Sequence, residues 1–155
     1  MRKIVVISLI LFILSGCGKP PDYGTIFKTI DSLEKIKPIK NLEDVSIKLP
    51  KLEGQIERNN KKLETIIQFF EHIEGTKDIA SLFRAIKRVN NITLNYYLDL
   101  EETLNTNLTQ EAKRGKIEKI EKEYKNSLQE ENEIIKKEKG RYEKFRREIE
   151  SKGRT

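Results

Sequence analysis

Cys17 carries the only thiol in a chain of 155 residues, and His72 carries the only imidazole. These two side chains bound the chemistry. A thiolate can attack a substrate or accept a lipid group, but nucleophilic catalysis needs a general base beside the nucleophile. With one histidine, and with the thiol committed elsewhere (below), the usual pairs are missing. A metal centre needs several His, Cys, Asp or Glu ligands at defined spacing. His72 stands alone near the end of a predicted helix, where a cation suits the dipole. No glycine-rich phosphate loop of the GxxxxGKS type occurs, and Gly54, Gly75, Gly115 and Gly140 are scattered singly. Carboxylates are plentiful, yet they alternate with lysines at the spacing of a solvated helix face. The expectation is a non-enzymatic protein with no catalytic residues, no cofactor and no metal ligands.

The surroundings of Cys17 are more specific. Met1-Arg2-Lys3 gives a basic start, Ile4 to Leu14 is an almost unbroken apolar run, and Leu14-Ser15-Gly16 precede the cysteine. A charged start, a short apolar run and small residues make a secretory signal peptide. As a helix the run covers roughly 16 Å, at about 1.5 Å per residue. That is about half of a ~30 Å hydrocarbon core, so a permanent membrane span is not expected. Leu14-Ser15-Gly16-Cys17 resembles the lipobox of bacterial lipoproteins. The resemblance implies lipid attachment at Cys17, cleavage between Gly16 and Cys17, and a mature chain beginning at the lipidated cysteine. It covers about the first 20 residues. Gly18 follows the cysteine where the family's retention signal has Asp. This implies the outer membrane in a diderm cell and the outer face of the cell membrane in a monoderm.

Removing Arg2 and Lys3 with the leader lowers the formal charge from +6 to +4. The remaining charges are interspersed rather than clustered, which argues against nucleic acid. Charged residues make up 36% of the chain and tryptophan is absent, so the core is expected to be narrow. With Cys17 lipidated, no disulfide can form, and helix packing must supply the stability.

The predicted organisation is a signal peptide over 1–16, a lipidated tether over 17–24 and one helical domain over 25–155. Its fold class is all-α: an elongated antiparallel bundle, coiled-coil-like, with three main helices and a short N-terminal one. Ile26, Ile30, Leu33 and Ile36 suggest a first helix over 25–37, stopped by Pro38. Residues 38–51 read as a linker, within which Val45 to Leu49 alternates like a strand. The second helix is expected over 52–74, and Gly75 followed by Thr76 forms a tight antiparallel junction. The third covers 77–104, with a seam of Ile79, Leu82, Ile86, Val89, Thr93, Tyr96 and Leu100. Phe83, Ile92, Tyr97 and Leu104 widen that seam, marking this helix as central. The fourth spans 109–150. Between Lys116 and Glu150 it has 21 charged and 9 large apolar residues, a stripe so narrow that its far end is expected to project or to pair with a second molecule. Its seam shifts after Tyr124, as a stutter does.

Tyr96-Tyr97 and Phe69-Phe70 could form a ligand platform, but aromatic residues at helical spacing are more often core. The leading functional expectation is a lipid-anchored envelope protein acting as a helical binding or scaffolding module. It would meet the membrane through Cys17 and a protein partner, or another copy, through helices 77–104 and 109–150. A holdase-type envelope chaperone and an exclusion or immunity lipoprotein are the alternatives.

Overall fold

The computed structural model describes residues 22–153. It is an all-α bundle of four helices: α1 (Tyr23–Asp31), α2 (Val45–Glu71), α3 (Lys77–Asn105) and α4 (Gln110–Ser151). A short 3-10 turn, Leu42–Asp44, precedes α2. Among the described residues there is no strand, and no helix is long and apolar enough to cross a membrane. Leu14, Ser15, Gly16 and Cys17, with the leader, lie outside the described residues.

α2 and α3 run antiparallel: Glu71 pairs with Arg84, Glu64 with Lys87, and Asn60 with Asn91, so one number rises as the other falls. Gly75 makes the reversal possible. Its φ of 80° lies in the left-handed region that glycine adopts without strain. Thr76 sits at the N-cap of α3 and is buried, yet its hydroxyl makes no capping bond to α3. It donates to the carbonyls of Phe70 and Ile73, at 2.6 and 2.9 Å, closing the orphaned end of α2. α3 lies between α2 and α4, which explains its widened stripe.

Three expected boundaries are overturned. α2 begins at Val45 and passes through Pro50, so residues 45–49 are helical rather than extended. A strand would place Val45, Ile47 and Leu49 on one face. Instead Val45 and Leu49 are buried at i, i+4 while Ile47 is 78% exposed. Val45, Leu49, Leu52 and Ile56 simply continue the stripe of α2 upstream. The gain from burying them, ~1.5–3 kcal/mol each, outweighs the backbone bond lost at Pro50, whose ring faces solvent.

The first helix ends at Asp31 rather than at residue 37. Distance is the reason. Glu34 is held beside Asn59 of α2, and the chain must then return to Val45, about 21 Å along the α2 axis at 1.5 Å per residue. A helix over the same few residues would fall short, so 32–41 forms an extended strap. Leu33, Ile36 and Ile39 line its inner side. The tether also shortens, because Asp22 caps α1 through the Thr25 amide at 3.0 Å and Tyr23 is core.

The far end of α4 neither projects nor stands bare. Arg141 reaches Asp78 at the start of α3, and the turns beyond it are covered by α1. Tyr23 packs edge-on against Phe145 and Phe27 against Tyr142, leaving Tyr142 and Ile149 buried. α1 and the strap thus fill the cleft between α2 and α4.

Candidate functional site

The core is two apolar clusters separated by a polar waist. One cluster joins Tyr23, Ile26 and Phe27 of α1 to Leu63, Ile66 and Phe70 of α2, Ile79, Leu82 and Phe83 of α3, and Tyr142 and Ile149 of α4. The other joins Val45, Leu49, Leu52 and Ile56 to Tyr97, Leu100 and Ile120. Between them, Asn60 Nδ2 donates to Asn91 Oδ1 at 2.7 Å, and Asn90 Nδ2 donates to Asn60 Oδ1 at 3.2 Å. Thr93 and Tyr124 hydroxyls lie 3.4 Å apart. Buried Asn59 uses both ends of its amide on the backbone of Glu34, at 2.9 and 2.7 Å.

Glu131 is the charged member of this waist. Arg88 Nε donates to its Oε1 at 2.5 Å, while buried Oε2 has no protein partner. Glu138, one heptad later and 5% exposed, is held by Arg141 at 3.0 Å. After the 4–4 step across Tyr124, the α4 seam runs Leu128, Glu131, Ile135, Glu138, Tyr142, Phe145, Ile149. Neither glutamate belongs to the apolar pattern of the sequence, yet both fall on its 3–4 spacing.

A second polar feature is the clasp around Arg146. Its guanidinium grips Asp31 with two bonds, at 2.6 and 2.8 Å, and reaches Glu150 at 2.8 Å. It also lies 5.0 Å from the centroid of the Phe27 ring, a cation–π contact. The hydrogen bonds from Arg146 hold the Asp31 carboxyl below its ordinary range. Arg58 does the same for Glu34 on the strap, and Lys87 for Glu64. Tyr97 closes the strap's other end: the Ile39 amide donates to its hydroxyl at 2.8 Å.

Shallow grooves flank α3. The one against α2 is lined by Glu64, Ile67, Gln68, Glu71, Arg84 and Lys87, an apolar floor between an acidic and a basic rim. The one against α4 is lined by Ile92, Asn95, Tyr96, Asp99 and Tyr124. Here Tyr96 stacks on Tyr124, with ring centroids 4.2 Å apart. Burial, with Glu121 adding to it, pushes the Tyr96 hydroxyl up to about 12. Of the candidate aromatic platform, Phe70 and Tyr97 are buried, Phe69 packs against the first cluster while lining an open hollow with Gln68 and His72, and Tyr96 stands at a groove rim.

His72 is exposed, and its Nδ1 lies 2.6 Å from the Gln68 carbonyl of its own helix. Among the described residues, no three His, Cys, Asp or Glu side chains gather as a metal-ligand set. On α4, the i, i+4 ion pairs are base-first: Arg114 with Glu118, Lys119 with Glu123, Lys139 with Glu143 and Arg146 with Glu150. The acid-first spacings Glu118 with Lys122 and Glu143 with Arg147 also occur in the sequence, but among the described residues no ion pair forms across them. Each of these acids has a base on both sides, and exposed pairs of either order are worth only a few tenths of a kcal/mol, ~0.3–0.5.

Comparison of the chain with protein-family models, with curated proteins and with solved structures gives no match.

Proposed function

We propose that this protein is a lipid-anchored lipoprotein of the cell envelope whose helical domain is a non-enzymatic binding or scaffolding module. The observation that carries the reading is Cys17, the single thiol, seated directly after Leu14-Ser15-Gly16 and the apolar run. The described helices are consistent with it in one geometric respect. Tyr23 follows Cys17 by six positions, a distance of at most about 20 Å, so a lipid on Cys17 holds the α1 end of the bundle near a bilayer. In a diderm cell the site is the outer membrane; in a monoderm it is the outer face of the cell membrane.

Binding falls to the outward sides of α3 and α4. Their apolar seams are occupied within the chain, so a partner, or a second copy, is proposed to meet the charged-rimmed grooves that flank α3. The polar waist supports a scaffolding role over a catalytic one, since its side chains bond chiefly to one another and to the strap. The test is intact-mass analysis and labelled-palmitate incorporation in cells. The wild-type chain is expected to begin at Cys17, to carry a diacylglyceryl group and to incorporate label. Cys17→Ser is expected to remain as the longer precursor without label. A wild-type chain that keeps its leader, or a free thiol at residue 17, would end the proposal.

A further inference from the structure

We infer that α1 and the strap are a stowed length of tether, able to undock from α2, α3 and α4 as one unit while those helices stay packed. The inference rests on the lipid-anchor reading above. Chain order is the first ground: the segment lies between Cys17 and α2, so any pull between membrane and bundle acts through Tyr23 before it reaches another helix.

Its construction is the second ground. Nine residues are too few to keep a helix in isolation, and among the described residues the strap makes no backbone–backbone bond between residues 34 and 40. Besides the burial of Tyr23, Ile26 and Phe27, the unit is held by side-chain clips: Arg146 on Asp31, Lys62 on the Ser32 carbonyl, Arg58 and Asn59 on Glu34, and Tyr97 on Ile39. The rest of the bundle has its own cross-links. Lys87 with Glu64, Arg88 with Glu131 and the Asn60–Asn91 bond join α2, α3 and α4 without it. Elements attached in this way open locally at lower cost than the whole fold. Undocking uncovers Phe69, Tyr142 and Phe145, which keeps the open form a minor population.

The consequence is reach. Docked, the bundle begins within about 20 Å of Cys17; undocked, Val45 follows Cys17 by 28 free positions, which can extend to about 95 Å. One anchored module could therefore engage partners close to the bilayer or well away from it.

Hydrogen exchange on the full chain purified in detergent tests this, with the intact mass of the same sample reporting the state of residue 17. Within peptides covering 26–39, the bonded amides (26–34 and 39) are expected to exchange together, at least about tenfold faster than those of 56–66 and 93–104. Arg146→Ala should raise the 26–39 rate by a further factor of about ten and leave the other two sets unchanged. Asp31→Asn, which removes only the exposed side of the clasp, should act in the same direction. Exchange of 26–39 at the rate of the other helices in all three chains would overturn undocking. An unmodified thiol at residue 17 would overturn the tether role through the anchor reading, whatever the exchange rates.

Discussion

Glu131 occupies a seam position that ordinarily takes an aliphatic side chain, and only one of its oxygens has a protein partner. Breaking a buried pair leaves a charge uncompensated, whereas replacing the buried member with a hydrophobe removes the desolvation cost. Arg88→Ala is therefore expected to lower stability by about 1–3 kcal/mol, and Glu131→Leu to be neutral or stabilising. Urea unfolding of both variants checks the opposite signs. At the clasp and on the strap, stability depends on pH. Asp31, Glu34 and Glu64 have depressed carboxyl pKa values because Arg146, Arg58 and Lys87 donate to them. The unfolded chain then binds more protons, so their contribution is complete above the ordinary values of 3.8 to 4.5 and is lost as pH falls below them. These carboxylates are 33–56% exposed, and solvent screening keeps the effect small. Thermal melts from pH 6 to pH 3 should show the loss, and Asp31→Asn should flatten the curve.

At the scale of elements, α2 and α4 each contain a residue at odds with a helix. Pro50 lies inside α2 and faces solvent, and Gly140 lies inside α4 with open space where a Cβ would stand. Gly140→Ala is expected to stabilise by about 0.5–1 kcal/mol. Pro50→Ala should restore the amide donor to the first turns of α2 and stabilise by about 1 kcal/mol, less than the full interior penalty because proline also stiffens the unfolded chain. Denaturant titration measures both. If residues 45–49 were extended, Pro50→Ala would gain nothing, so the same variant tests the boundary. α3 was legible because its apolar residues keep strict 3–4 spacing and a glycine marks its entry. The start of α2 was not, because Val45, Ile47 and Leu49 satisfy a period of two as well as i, i+4, and proline weighs against a helix. The seam of α4 was half legible: its carboxylates hid two core positions in plain spacing.

At the scale of the whole molecule, α1 decides whether the far end of α4 is surface or core. Phe27 is 3% exposed and meets Tyr142 and Arg146. Phe27→Ala is expected to cost about 3–5 kcal/mol, measured by thermal or chemical denaturation, and to expose the last turns of α4 to proteolysis. A comparable truncation at Ile47, which is 78% exposed, should change stability by less than about 0.5 kcal/mol. The contrast assigns the end of α4 to the interior.

Local order in the chain was enough to establish an all-α fold, the antiparallel turn at Gly75 and the central place of α3. Periodicity and a positive-φ glycine are properties of neighbouring residues. Where the first helix stops, how α4 is covered and why Asn59, Glu131 and Arg146 are placed as they are came only from the tertiary structure. Those outcomes depend on the span between Glu34 and Val45 and on side chains more than a hundred positions apart, such as Asp31 and Arg146. No pattern of neighbours encodes such distances, since they exist only once the helices have packed.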